Sequence, residues 1–313
     1  MSEDRRPLIV VALGGNALLR RGEPMDADHQ RHNVDSAADA IATIADRFRI
    51  VVTHGNGPQV GLLALQAEAY AGTTPYPLDV LGAESEGMIG YLVAQALGNR
   101  LDDAPVATLL TQVAVDPDDP AFSQPSKPIG PVYTQAEASR LAVERGWKVA
   151  PDGSSFRRVV PSPEPRGVIE LATIRLLLDA GVIVICAGGG GIPVVADAAG
   201  RLHGVEGVID KDLSAALLAR LLQADMLAML TDVDSVVEGW GTPGARPISR
   251  ASAGELRRMR FAPGSMAPKI EAACRFVEAT GRTAAIGSLA ELSGLVEGRC
   301  GTVVTPAGAA VEA

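Results

Sequence analysis

The sequence predicts an α/β protein: an open, mostly parallel sheet sandwiched by helices, carrying a small inserted subdomain that protrudes from it. Three observations predict this. Apolar β-like runs alternate with amphipathic stretches, the pattern of a parallel sheet with crossover helices. Three of those runs end directly in glycine-rich elbows: Gly14-Gly15-Asn16-Ala17, His54-Gly55-Asn56-Gly57-Pro58 and Gly188-Gly189-Gly190-Gly191. Between about 116 and 165 the alternation breaks, and prolines crowd both margins: Pro117, Pro120, Pro125, Pro128 and Pro131, then Pro161, Pro163 and Pro165.

Taken in order, residues 8–13 form a first strand, because an unbroken apolar run suits a strand covered on both faces. Residues 26–47 follow as a helix, with Val34, Ala37, Ala38, Ile41 and Ile44 on one face. Residues 50–53 are a second strand. Pro58 falls in a first helical turn, where its missing N–H is no loss, and 60–70 continue that helix. Residues 78–101 are a second long helical segment and 106–110 a third strand. Within the insert, a short helix (135–145) and β-like pieces (147–150 and 156–160) stand on proline-stiffened stems. The alternation then resumes: helix 169–180, strand 182–187, helix 211–223, and strand 226–230 ending in Thr231-Asp232-Val233-Asp234. Helix 266–280 and short strands at 283–286 and 302–305 complete it.

At 313 residues the chain buries a large core and fits one large domain or two lobes. A net charge of −9 with 4% aromatics disfavours nucleic acid as a partner, which needs basic phosphate contacts and stacking platforms. No stretch approaches the roughly 20 apolar residues of a membrane span. Cys186, Cys274 and Cys300 form neither a CxxC pair nor a metal spacing, and the N-terminus lacks a signal h-region, so a reducing cytoplasm is expected.

Glycine lets backbone N–H groups approach an anion, and a helix starting just beyond adds the positive end of its dipole. Three such elbows, two of them carrying an Asn, point to a shared anionic site at one sheet edge. The common nucleotide fingerprints fail: Val60 stands where a third glycine of GxGxxG belongs, with Gly61 one place late, and there is no GxxxxGK[ST]. Lys127 lies between Pro125 and Pro128 on a stiff backbone. Lys211 and Lys269 open helices, where a cation opposes the dipole, so local stability does not account for them. Asp210 and Asp212 flank Lys211 and could pair with it, bind Mg²⁺ or cap the helix. Asp232 and Asp234 end a strand, where ligands are met in open α/β sheets. Of the four histidines, only His54 touches a glycine loop, and it is read as holding that loop's shape.

Together these residues resemble the carbamate kinases, of the amino-acid kinase fold. The resemblance is carried by Leu13 to Ala17, His54 to Gly61, the Pro-flanked Lys127, Val159-Val160-Pro161-Ser162-Pro163, Gly188 to Pro193 and Asp210-Lys211-Asp212. Leu230 to Asp234 and Pro263 to Lys269 complete it, and the similarity runs from about 8 to 306. Other members of that fold usually place a lysine shortly before the first Gly-Gly. Here Val10-Val11-Ala12-Leu13 has none, and the resemblance implies that Lys127 takes over the role. Glu86 is less typical.

The resemblance implies reversible phosphoryl transfer between carbamoyl phosphate and ADP, giving ATP and carbamate. The transfer is expected to be direct and in line, with no phosphoenzyme, in fermentative arginine catabolism. Gly14, Gly15, Asn16, Gly55, Asn56, Gly57, Gly188 and Gly189 are expected to hold the small substrate. Lys127, Lys211, Asp212 and Lys269 are the expected catalytic set. Thr231, Asp232, Asp234, Pro263, Gly264, Met266 and Lys269 are expected at the nucleotide. Mg²⁺ would be held mainly through the nucleotide phosphates, with Asp210 as a candidate ligand. The implied architecture is an N-terminal lobe (1–205) holding the carbamoyl site, the dimerisation face and a lid at 116–165, then a C-terminal nucleotide lobe (206–313), assembled as a homodimer. The rival readings are a kinase of the same fold acting on another small carboxylate or phosphate acceptor, and a non-catalytic nucleotide sensor.

Overall fold

Wholly apolar segments set the centre of the molecule. In the computed structural model, which describes residues 6–15, 18–19, 22–70, 72, 74–102, 104–261 and 266–307, Leu8–Leu13 is buried along its whole length. It pairs in parallel with Arg49–His54 on one side and Met226–Thr231 on the other. The central sheet has eight strands, in the order Arg250–Ser252, Thr302–Thr305, Thr283–Ser288, Met226–Thr231, Leu8–Leu13, Arg49–His54, Ile183–Ile185, Val106–Thr108. Neighbours run parallel except Thr283–Ser288 against Thr302–Thr305.

The strands lack a polar face because helices cover both sides. Val10, Ala12, Val51, Leu227 and Met229 pack with Leu178, Leu218 and Phe276 from helices Leu171–Asp179, Lys211–Leu222 and Met266–Thr280. Ile9, Val11, Leu13, Ile50 and Val52 face the other layer, against Val34, Ile41, Ile89 and Val93 from Ala27–Ala42 and Leu78–Gly98. The first helix is capped by Asp26 and stops at Ala42, short of the expected 47. Beyond it Thr43, Ile44 and Arg47 donate to carbonyls three residues back, which tightens the chain out of α geometry.

The chain leaves for the insert after Gln112–Ala114 and returns at Gly167–Val168, two strands that pair antiparallel. Between them Lys127–Tyr133, Ser155–Val160 and Lys148–Asp152 form an antiparallel sheet. Helix Gln135–Arg145 lies in this subdomain, opened by a Thr134/Glu137 capping box and closed by Gly146 at φ 66°. Trp147 is held by the guanidinium groups of Arg145 and Arg158 at 5.1 and 4.7 Å, and Glu68 pairs with both arginines.

Several elements went unread in the sequence. Leu202–Gly204, Ile192–Ala196, Gln112–Ala114 and Gly167–Val168 make a second, four-stranded sheet. A hairpin (Val236–Glu238 with Arg246–Ile248), the edge strand Arg250–Ser252 and the short helices Ala253–Arg258 and Leu292–Val296 also went unread, all too short to display a period. The seven-residue strand Lys127–Tyr133 of the insert went unread as well, because Pro128, Gly130 and Pro131 break its β signal.

Candidate active site

All three elbows lie at the carboxyl ends of the parallel strands, where ligands are met in open α/β sheets. At the first, Gly14 donates its N–H to Leu230 O at 3.1 Å, and a Cβ there would stand 2.7 Å from the same oxygen. Gly14 therefore joins two strands closely, and its amide is committed to the fold rather than offered to substrate. At the third, Ala187, Gly189, Gly190 and Gly191 all have positive φ, so the chain folds back tightly on itself. Gly188 N–H is likewise committed, donating to Glu86 Oε1 at 2.8 Å.

What remains borders an open-mouthed cavity of about 170 Å³, lined by Gly15, Gly55, Asn56, Gly57, Pro58, Lys127, Pro128, Ile129, Gly189, Val208, Ile209 and Lys211. Five of the eight glycine and asparagine residues expected at the substrate thus line one space. Gly14 and Gly188 support it from behind, and Asn16 lies outside the described residues. Helices Gly57–Ala69 and Lys211–Leu222 both begin at this wall, so two positive dipole ends meet two lysines. Asn56 is fixed through its amide, which donates to Ser85 Oγ at 2.8 Å. The space is smaller than the roughly 300 Å³ at which pockets for drug-sized ligands begin, and suits a small anion.

The charged residues form a pair linked to a triad. Lys127 Nζ contacts Asp210 Oδ2 at 2.5 Å, while Asp210 Oδ1 caps the next helix by accepting from the N–H groups of Asp212 and Leu213. Asp212 is buried and takes Lys211 Nζ at 3.0 Å and Lys269 Nζ at 3.0 Å. Burial works against the Asp212 carboxylate, but the charges of Lys211 and Lys269 outweigh it and hold the group well below the usual carboxylate range. Burial also opposes the Lys211 ammonium, and Asp212 and Asp210 more than compensate, lifting it. For Lys269 burial prevails, helped by the charge of Lys211, and the ammonium falls to about 8. Asp210 is lowered, Lys127 overcoming its burial.

Of the residues expected at the nucleotide, Thr231 ends its strand beside Gly14 and donates through Oγ1 to Asp232 Oδ1 at 3.1 Å. Met266 begins the helix whose first turn carries Lys269, so Lys269 spans both groups. Asp234 follows in the same loop as Asp232 and is exposed. Pro263 and Gly264 lie outside the described residues. Among the described residues, no group of three or more His, Cys, Asp or Glu is gathered as a metal cage. Asp210 Oδ1 takes two backbone N–H donors and Oδ2 takes Lys127, so an ion at Asp210 would share Oδ2 with Lys127.

Glu86 was flagged in the sequence only as atypical, and the structure gives it a place. It is buried, and its carboxyl accepts from Gly188 N–H at 2.8 Å and from Thr111 N–H at 3.2 Å, clamping two strand ends together. Thr111 adds a bond from Ala187 N–H to its hydroxyl. Burial pushes the Glu86 carboxyl up to about 8, against those two donors. His54, beside Gly188, is also buried; its Nδ1 donates to Gly55 O at 3.1 Å, and burial drops it to about 4. It shapes its loop, as expected from the sequence. The one readable signal for Glu86 was its helical spacing from Ile89 and Val93, which puts it on the buried face, whereas Glu84 and Ser85 beside it make a carboxylate there unremarkable by composition.

The chain matches the amino acid kinase family over residues 7–288. It is 55% identical to the carbamate kinase of Haemophilus influenzae over 298 residues, 95% of this chain and 96% of that one. It is 50% identical to that of Escherichia coli K12 over 297 residues, 95% and 99% of the two chains. Among solved structures, carbamate kinase from Giardia lamblia bound to AMP-PNP superposes with a TM-score of 0.87 at 41% identity, covering 96% of this chain and 99% of that one. With this similarity along nearly its whole length, and lysines gathered around a small cavity, the chain belongs to the carbamate kinases of the amino acid kinase family.

Proposed function

We propose that the phosphoryl group passes directly between carbamoyl phosphate and ADP, the reaction of the family, with Lys127 and Lys211 flanking it and no phosphoenzyme formed. Phosphoryl transfer runs through a loose transition state, so positioning and charge neutralisation matter more than covalent chemistry. The observation that carries this reading is the cavity of about 170 Å³ with Lys127 and Lys211 on its wall. Gly15, Gly55, Asn56, Gly57 and Gly189 would hold the carbamoyl group.

Asp212 orients Lys211 and Lys269 together, and Lys269 reaches the terminal phosphates of a nucleotide held by Thr231, Asp232, Asp234 and Met266. Mg²⁺ suits this site as an ion borne by the nucleotide phosphates, where it would neutralise their charge. The division of labour is an N-terminal lobe (1–205) with its insert holding the carbamoyl group and a C-terminal lobe (206–313) holding the nucleotide. A homodimer is supported by exposed Met88 and Tyr91, one turn apart on Leu78–Gly98, with exposed Leu110 packed beside them at Gly87. Operation in the cytoplasm, toward ATP in arginine catabolism, follows the family; three unpaired cysteines agree with a reducing compartment.

The test is ATP formation from ADP, Mg²⁺ and fresh carbamoyl phosphate, with Lys211→Ala alongside. Turnover should fall on the order of 10²-fold or more in the variant, as for the loss of one preorganised charge at a transition state. A near-normal rate in Lys211→Ala would remove that lysine from the mechanism.

A further inference from the structure

Helix Gly57–Ala69, which opens from the second elbow, and strand Lys127–Tyr133 of the insert meet with no side chain between them. A Cβ built on Gly61 would lie 2.0 Å from Gly130 Cα and 2.1 Å from Gly130 N. Gly130 has φ 71° and sits where the pairing of its strand with Ser155–Val160 slips register. An irregularity of this kind bends a strand, and here the bent segment rests on Gly61. Beside it, Ile129 is buried among Val60, Ala64, Val160 and Val208. The space left at the contact is only about 10 Å³. Farther along the same helix, Glu68 holds Arg145 and Arg158 of the insert.

We propose that Gly61 is a positioning residue for phosphoryl transfer: by admitting the Gly130 backbone against the helix, it fixes where Lys127 stands over the second elbow. This rests on the reading of Lys127 as a lysine acting on the transferring phosphoryl group. The contact is a short lever, because the same helix begins with one wall of the cavity (Gly57 and Pro58) and the same strand begins with the other (Lys127, Pro128 and Ile129). Carbon atoms in contact stand about 3.5–4.0 Å apart, so an alanine at 61 forces the strand back by roughly 1.5 Å. A misplacement of about 1 Å can cost on the order of 10² in rate.

The test is a double-mutant cycle of Gly61→Ala and Lys127→Ala, with kcat and KM for ADP measured in all four proteins. Lys127→Ala alone should lower kcat by about 10². Gly61→Ala alone should lower it at least ~10-fold, with KM for ADP within about 2-fold, because the nucleotide residues lie elsewhere. The double variant should fall no more than about 3-fold below Lys127→Ala, since displacing an absent lysine costs nothing. Multiplying losses would overturn the proposal by making Gly61 act through general packing, and so would folded Gly61→Ala with kcat within about 2-fold of wild type. A near-normal Lys127→Ala would instead bring down the reading of Lys127 and this inference with it. Gly130→Ala belongs in the same cycle and carries it if Gly61→Ala does not fold. Its Cβ would clear Gly61 Cα at 3.5 Å, leaving only the strain of φ 71°, so a loss of at least ~3-fold with the same non-additivity is expected.

Discussion

Two clusters of buried ionisable groups stand on either side of the third glycine elbow, and they resolve the cost of burial in opposite ways. On the cavity side, Asp212 is 4% exposed and Lys269 6%, yet the carboxylate stays ionised because two ammonium groups contact it. Behind the elbow, Glu86 and His54 are each 1% exposed, with no ion pair among the described residues. Burial there drives both toward their neutral forms, Glu86 up to about 8 and His54 down to about 4. An isolated charge is expensive in the interior, whereas a paired and hydrogen-bonded one is tolerated. The molecule keeps charge where two ammonium groups meet one carboxylate and discards it behind the elbow, where the described residues offer no counter-ion.

The comparison breaks most violently at Asp212. Asp212→Asn leaves Lys211 and Lys269 facing each other without the carboxylate that separates them. Removing one partner of a buried pair costs about 3–5 kcal/mol, and misaligning two charges at the transition state should cost on the order of 10²–10³ in kcat. The variant should therefore melt well below wild type, and any alkaline fall in rate set by Lys269, near pH 8 in the wild type, should move to lower pH. Thermal melts and a pH–rate profile check both. Unchanged stability would mean that the lysines do not depend on Asp212 for their charge.

The elbow between the clusters gives a smaller effect of a different kind. A Cβ on Gly189 would stand 2.1 Å from Asn56 Nδ2, at a φ of 67° that L side chains rarely adopt. Gly189→Ala should displace the Asn56 amide from the cavity wall while leaving the lysine pairs in place. The expected outcome is a rise of roughly 10-fold in KM for carbamoyl phosphate, with a smaller change for ADP. Equal changes in both constants would show that the elbow serves the whole site rather than the small-anion side.

The parallel strands, the insert and the three lysines that the structure gathers were legible in the sequence because each breaks or keeps a local rule. Apolar runs ending in glycine, and a lysine at a helix start, are visible without knowing what they touch. What was not legible depends on contacts between distant segments. Gly14 looked like a substrate donor, but its amide is taken by Leu230, more than two hundred residues away, and Gly188 is taken by Glu86 in the same manner. Gly61 was visible as a motif letter, and only the packing of the insert reveals what its missing side chain makes room for.

The gentlest test lies at Glu86 and reads stability rather than rate. Its folded-state value of about 8 stands above the ordinary 4.5, so between those values the native state holds a proton that the unfolded chain has lost. Stability contributed by this group is therefore present at low pH and declines as pH rises through that interval, by about 1.4 kcal/mol per pH unit at most. His54 acts with the opposite slope between about 4 and its ordinary 6.5, where the unfolded chain binds the extra proton. Lys269 also opposes Glu86 once pH passes about 8. The clean window is roughly pH 6.5–7.5. Glu86→Gln should lose one of the two backbone bonds, since its amide nitrogen cannot accept from Thr111 or Gly188, an offset of about 1–2 kcal/mol that does not change with pH. Within the window the wild type should lose stability to rising pH more steeply than the variant, in urea titrations at several pH values, while kcat changes only a few-fold. Parallel slopes would mean that the carboxylate is ionised throughout and held so by its two N–H donors, and the contrast between the two clusters would then be one of partners alone.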